Sequence, residues 1–457
     1  MQKTVVIDVV GLSAPLIGVH TPFLHEYIRS RQLSLVKPML PAVTTSVQST
    51  YVTGKWPSEH GIVGNGWYDH RDCEVKFWKQ SNKLVSVEKI WERAKKADPA
   101  FTVSKMFWWY NMYSTADYAA TPRPNYLADG RKMPDCYTHP AGLRDELQKG
   151  FGQFPLFSFW GPNANIRSTQ WIADATIYTD KKYDPVLTLA YLPHLDYCLQ
   201  KFGPGAPEIA VHLKEIDDVV KQLITYYQQK NARIIVLSEY GIAPVSHPIH
   251  LNRLLRDAGL LAVRVERGLE LLDAGASRAF AVADHQVAHV YLNDPSVKDT
   301  VRAILEHTKG VAEVLDKEQQ QVRHITHERS GDFVVVADAD SWFTYYFWMD
   351  DAVAPDYARV VDIHKKPGYD PVELFMTSKL RAGYKLLRKK AGFRYVMDVI
   401  PLDATLVKGS HGAVHVDKAY YPVLITDQPV PGKTELEAID VYDVIWQHLN
   451  AGVKPTS

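Results

Sequence analysis

Three short apolar runs in this sequence each lead directly to a carboxylate. Asp8 follows Thr4-Val5-Val6-Ile7, His194 and Asp196 follow Leu187-Thr188-Leu189-Ala190-Tyr191, and Glu239 follows Arg233-Ile234-Ile235-Val236-Leu237. Carboxylates offer hard oxygen ligands and neutral imidazoles offer nitrogen ligands, a combination that suits zinc or manganese. Cations held this way neutralise phosphate oxygens, stabilise a leaving oxygen and activate a hydroxyl, the three requirements for hydrolysing a phosphoester at neutral pH.

The elements that must position such groups are readable from periodicity. The three runs, with a fourth at Phe333-Val334-Val335-Val336, are largely apolar and alternate with helical patterns, which predicts buried parallel strands in a layered α/β sheet. In such sheets the loops at strand C-termini carry the site, and that is where the carboxylates fall. A helix is predicted from Glu208 to Gln229, packing Ile209, Val211, Leu213, Ile216, Val219, Val220 and Leu223 on the sheet. The stretch 66–183 is aromatic and rich in turns, as in Phe107-Trp108-Trp109-Tyr110, and so is 341–408. Insertions over the site and walling a substrate pocket are expected within both stretches, on a single domain spanning residues 1–457. No internal repeat is present, and the tail Ala451 to Ser457 is expected to fray.

Composition excludes several classes. Lys plus Arg number 52 and Asp plus Glu number 52, so no global field attracts nucleic acid or an anionic membrane, and neither partner is indicated. The expected ligand is a small molecule. Cys73, Cys136 and Cys198 are widely spaced and lack a Cys-x-x-Cys pattern, which reads as reduced thiols. The N-terminus runs straight into a strand without an apolar leader, and no run approaches the length of a membrane span, so a cytoplasmic location is expected.

The segment from Pro41 through Thr44 and Gly54, continued by Trp56-Pro57-Ser58-Glu59-His60-Gly61-Ile62-Val63-Gly64-Asn65, resembles the nucleotide pyrophosphatase/phosphodiesterase (type I phosphodiesterase) family of the alkaline phosphatase superfamily. The resemblance implies a three-layer α/β/α sandwich with a mostly parallel central sheet, capped by the irregular aromatic insertions. It makes Thr44 the nucleophile and a metal ligand, at the start of a helix whose N-terminus favours a phosphate oxygen. Asn65 matches an asparagine that donates to a phosphate oxygen. Asp8, Asp196, Glu239 and His411, the last within Gly409-Ser410-His411-Gly412, match metal ligands.

Two divalent ions are implied, and the expected activity is hydrolysis of phosphodiesters, pyrophosphates or monoesters through a phosphothreonine intermediate. The chain departs from the family where Gln200 and Tyr240 stand in place of imidazole ligands and where Glu239 stands in place of an aspartate. An oxygen-rich site shifts the expected metal from zinc toward manganese or magnesium. His194, two residues before Asp196, and His415, four after His411, are candidates to replace the missing ligands. A phosphomutase or phosphonate hydrolase on the same core is one alternative. A non-catalytic binding protein with a degraded metal site is another.

Two further segments invite function. Alternation along Ala283 to Tyr291 places Asp284 and Gln286 opposite His285 and His289, as on an ordinary strand, although the two histidines could contact a substrate. The basic helix from Ser378 to Lys390 reads as a solvated face.

Overall fold

In the computed structural model, which describes residues 1–393, 395–427 and 435–450, the first apolar run forms β1 (Thr4–Val9) at the heart of a nine-stranded sheet. The tail Ala451 to Ser457 lies outside the described residues. Val5, Val6, Ile7 and Val9 are fully buried because helices cover both faces of the sheet, which is why the run carries no polar alternation. Each such side chain contributes roughly 1.5–3 kcal/mol of burial.

The other strands of this sheet are β2 (Gln32–Val36), β3 (Val103–Met106), β4 (Tyr118–Pro122), β5 (Cys136–His139), β6 (Leu187–Leu192) and β7 (Arg233–Leu237). A separate four-stranded sheet holds β8 (Ala279–Asp284), β9 (Val287–Leu292), β10 (Val311–Leu315) and β11 (Phe333–Ala337). The chain then returns to the first sheet with β12 (Val423–Thr426) and β13 (Glu435–Leu436). The order in the large sheet is β13-β2-β12-β7-β1-β6-β3-β4-β5. β1 pairs parallel with β6 and β7, and the register sets Asp8 opposite Tyr191 and Leu237, so three strand ends open at one level.

Six helices matter here: α1 (Thr44–Thr53), α2 (Ile166–Tyr183), α3 (His194–Phe202), α4 (Ile209–Gln229), α5 (Lys379–Lys390) and α6 (Asp440–Asn450). α4 starts one residue after the predicted point. It buries Ile209, Leu213, Ile216, Val219, Val220 and Leu223 on the sheet. Val211, predicted to join them, is 58% exposed, because at 100° per residue it falls off the stripe that the others share.

One expectation needs correction. Phe333 to Val336 is not part of the parallel core, since β11 lies between β9 and β10 in the all-antiparallel second sheet. A short apolar run reads alike whether its cover comes from helices or from a second layer. Within 66–183 the chain also contributes β3 to β5 and α2 to the core. α5 is exposed along most of its length, and Leu380 and Leu387, 88% and 67% exposed, stand beside its basic residues.

The aromatic stretches do come together. Trp78, Trp109 and Trp160 from the first pack with Tyr369 from the second: Trp78 lies 4.9 Å from Trp109 and 6.2 Å from Tyr369, and Trp160 lies 5.8 Å from Tyr369, between ring centres. Among the described residues no helix is long and apolar enough to cross a membrane. The three cysteines are free, and two of them are buried.

Candidate active site

Asp8 is fully buried near the end of β1, and Glu239, two residues past β7, faces it. Between them comes Gln48, one turn into α1. Its Nε2 donates to Glu239 Oε1 at 2.5 Å and reaches Asp8 Oδ2 at 3.5 Å, while its Oε1 accepts from the Trp109 amide at 2.7 Å. Asp8 Oδ1 and Glu239 Oε2 are left buried without a hydrogen-bond partner among the described residues. Burial pushes the Asp8 carboxyl up to about 7. It raises Glu239 well above the usual range, and the neighbouring Asp8 adds to the shift. Two buried carboxyl groups with orphaned oxygens call for a positive charge or a proton.

Thr44 opens α1, whose ten residues are all buried, so the hydroxyl is fixed by a rigid helix at its N-terminal end. Thr44 Oγ1 lies 2.9 Å from the Tyr240 hydroxyl. From there a chain of contacts continues: Tyr240 donates to Asp196 Oδ1 at 3.3 Å, Gln200 Nε2 donates to Asp196 Oδ2 at 3.0 Å, and the Tyr369 hydroxyl donates to Gln200 Oε1 at 2.9 Å. Asp196 and Gln200 meet because they sit four apart on α3. Burial lifts Asp196 to about 7, against the opposing pull of Gln200 and Tyr240. Burial also keeps Tyr240 a neutral phenol, well above its usual range.

His411 enters from the other side. Gly409, two residues earlier, presses so close to α3 that an added Cβ would lie 2.3 Å from the Leu199 carbonyl oxygen, and only glycine permits this approach. His411 Nδ1 donates to the Ala42 carbonyl at 2.7 Å. A carbonyl can only accept, so the proton sits on Nδ1 and the Nε2 lone pair is free. Nε2 is buried without a partner among the described residues, 3.7 Å from Asp196 Oδ1. Burial holds the ring neutral, well below its usual pKa. The His411 ring stacks on Tyr240 at 3.5 Å.

Asn65 is held on both sides. Its Oδ1 accepts from the Thr45 amide at 3.1 Å, and its own amide and Nδ2 donate to Asp284 at 2.7 and 3.0 Å. One Nδ2 hydrogen remains for a ligand.

Asp284 was missed as a site residue. Alternation was applied straight through a hairpin: β8 and β9 pair antiparallel up to Asp284 and Val287, so His285 and Gln286 form a two-residue turn, His285 with a positive φ of 61°. The turn delivers Asp284 to Asn65 and packs the His285 ring between Tyr369 at 3.6 Å and His411 at 3.8 Å. The readable signal was two β-rich runs separated by two polar residues. Burial raises Asp284 to about 6. His289 instead bonds the Val63 carbonyl at 2.9 Å, beneath the sheet.

Asp8, Thr44, Asn65, Asp196, Gln200, Glu239, Tyr240 and His411 are thus brought into one buried cluster. The two proposed replacement ligands are not. His194 lies two residues from Asp196 on α3 and turns its ring toward His212 and Glu215 on α4. His415 bonds the Ala337 carbonyl at 3.0 Å and faces Glu313 at 3.3 Å.

The donor set fits a divalent cation unevenly. Near Thr44, Asp8 and Glu239 each leave one buried carboxylate oxygen without a partner among the described residues, hard donors for an ion that prefers oxygen. On the other side the His411 lone pair is free, but both Asp196 oxygens and the Gln200 carbonyl already have protein partners.

Residues 4–370 match the profile of the family described as type I phosphodiesterase / nucleotide pyrophosphatase. An uncharacterized pyrophosphatase/phosphodiesterase of Schizosaccharomyces pombe is 28% identical over 242 residues, 52% of this chain and 40% of that protein. Ectonucleotide pyrophosphatase/phosphodiesterase 1 of Saccharomyces cerevisiae is 24% identical over 279 residues, 54% of this chain and 34% of its own length. The matches thus span well under half of these curated relatives.

Among solved structures, an inactive variant of murine ectonucleotide pyrophosphatase / phosphodiesterase 5, in complex with AMP, covers 100% of this chain and 97% of its own, with a TM-score of 0.60 and 16% identity. Phosphonoacetate hydrolase from Sinorhizobium meliloti 1021, in complex with phosphonoformate, covers 98% and 96%, with a TM-score of 0.62 and 15% identity. Both share the alkaline-phosphatase-like α/β fold.

Proposed function

The chain belongs to the type I phosphodiesterase / nucleotide pyrophosphatase family, and from that premise we propose that it hydrolyses phosphate esters, phosphodiesters or pyrophosphates first among them, with Thr44 as nucleophile. The observation that carries this reading is the placement of the Thr44 hydroxyl at the N-terminus of a buried helix, bonded to Tyr240 and near buried carboxylate oxygens that have no partner among the described residues. Asp8, Glu239 and Thr44 would hold one divalent cation and His411 with Asp196 a second, and such ions, when bound, acidify a hydroxyl and neutralise phosphate oxygens. The oxygen-rich first set favours manganese or magnesium over zinc.

The residues divide the work. Thr44 Oγ1 attacks phosphorus in line, the ester oxygen leaves with its alcohol or phosphate, and the resulting phosphothreonine is hydrolysed by water. The Thr44 proton has a path through the Tyr240 hydroxyl to Asp196 Oδ1, a carboxylate held near neutrality and so able to accept it. Asn65, locked by Asp284 and Thr45, presents its remaining N–H to a phosphate oxygen that gains charge in the transition state. Trp78 and Trp160, both partly exposed, stand against Tyr369 beside the site, which supports a substrate with a planar ring such as a nucleotide. The AMP complex of the murine relative is consistent with that class.

A second reading has its own observation. The Gln48 amide lies between Asp8 and Glu239, and Gln200 is satisfied by Asp196 and Tyr369, an arrangement that suits a binding protein without turnover. The two separate in a direct test. Wild type and Thr44→Ala are assayed against aryl phosphate mono- and diesters with zinc, manganese or magnesium, alongside elemental analysis. Metal-dependent turnover by wild type alone supports the hydrolase. Equal rates in both proteins, or no metal and no turnover in either, would sink it.

A further inference from the structure

Outside the proposed active site, three ligand atoms from two helices converge as if around an ion. His194 Nε2 on α3 lies 3.1 Å from His212 Nδ1 and 3.1 Å from Glu215 Oε2, and the last two, both on α4, are 3.3 Å apart. The triangle is nearly equilateral. Ligands of a tetrahedral zinc ion with bonds of about 2.0–2.1 Å stand about 3.3 Å from one another. Among the described residues, this is the one group of three or more histidine, cysteine or carboxylate side chains whose ligand atoms gather this closely.

The construction is local and rigid. His212 and Glu215 are one turn apart on a 21-residue helix, so their side chains share a face. His194 is buried at 2% exposure and opens α3, which packs against α4. Protein contacts alone satisfy the trio poorly. A proton on His194 Nε2 has two acceptors to serve at once, and His194 Nδ1 is buried without a partner among the described residues. His194 and His212 also line a cavity of about 100 Å³ with Cys198, Lys201, Phe202 and Leu374, which leaves room for water as a fourth ligand.

We propose that His194, His212 and Glu215 form a separate binding site for a single divalent transition-metal ion of the zinc type. Two imidazoles and one carboxylate, with the fourth position open to the cavity, are the chemistry that selects such an ion over magnesium or calcium. The ion ties α3 to α4. Because α3 also carries Asp196 and Gln200, occupancy fixes the helix that presents one half of the phosphate site. The site stands independently of the proposed hydrolysis.

Cobalt(II) titration of the full chain tests it, read by visible absorption, which reports tetrahedral coordination without any assay of activity. The double variant Asp8→Asn/His411→Ala silences the active-site cluster and is expected to bind a single cobalt ion with tetrahedral absorption. Adding His212→Ala, or separately Glu215→Gln, is expected to weaken that binding more than about tenfold. Both residues are partly exposed, and circular dichroism verifies that each variant is folded. Absence of bound cobalt in the double variant overturns the proposal. So does unchanged binding after both further substitutions in folded protein.

Discussion

The two halves of the candidate active site are built from the same kinds of residue and left in opposite states. On the Asp8 side, Gln48 reaches one oxygen of each carboxyl group and the other two are orphaned. On the Asp196 side, Gln200, Tyr240 and Tyr369 close a hydrogen-bonded chain, beside which His411 Nε2 lacks a partner among the described residues. Orphaned buried oxygens are costly and mark a place prepared for a charge, whereas a satisfied network is stable as it stands. The two imidazole replacements, Gln200 and Tyr240, fall on the satisfied side, and the other side carries only the conservative Glu239. We therefore expect the Asp8 half to bind its cation tightly and the Asp196 half to bind its own more weakly, handling the proton when that ion is absent.

The largest effect expected is at the junction of the halves. Thr44→Ala removes the nucleophile and breaks the link to Tyr240, and kcat against an aryl phosphodiester should fall at least about a thousandfold with metal still bound. Loss of metal together with activity would instead make Thr44 mainly a ligand. Next comes Gln200→His, which restores an imidazole opposite His411. The Asp196 half should then bind its own cation about tenfold or more tightly, measured by calorimetry with zinc. An unchanged stoichiometry and affinity would mean that the Tyr240 phenol, not Gln200, blocks that half.

A smaller effect lies in the pH dependence of the metal-free protein. Asp8 is raised from 3.8 to about 7 by burial, so between those values the folded state keeps a proton that the unfolded chain has lost. This contribution is present at low pH and is lost as pH rises through about 7. Asp8→Asn removes it, so the Tm of the variant should gain roughly a few degrees on wild type as pH rises from about 4 to about 8. Manganese added to wild type should narrow the gap. Parallel Tm curves for the two proteins would show that Asp8 is already compensated.

How much of this was legible follows from the range of each signal. β1, β6 and β7, with the carboxylates at their ends, were readable because strand and site residue are adjacent in sequence. Asp284 was not, because its role depends on a two-residue turn that brings it 219 positions back to Asn65. The placement of β11 failed for a related reason: apolar content records that a strand is buried, not which sheet buries it. His194 shows the limit of proximity in sequence. Two residues on a helix are about 200° apart, so a neighbour of Asp196 at that spacing faces away from it. Gln48 carried no local signal, since an interior glutamine becomes informative only when its partners on β1 and after β7 are known.

The finest test of the contrast concerns the hydroxyl of Tyr369. Tyr369→Phe keeps the ring on His285, 3.6 Å between centres, and deletes the donor to Gln200 Oε1. That bond now occupies the carbonyl oxygen that Gln200 would need in order to act as a ligand. A neutral hydrogen bond contributes about 1 kcal/mol net, so its removal should tighten cation binding at the Asp196 half roughly fivefold. Calorimetry in an Asp8→Asn background isolates that half. Weaker binding in the variant would mean that Tyr369 orients Gln200 toward the ion instead of holding it away, and the Asp196 half would then count as a metal site in waiting, not a proton relay.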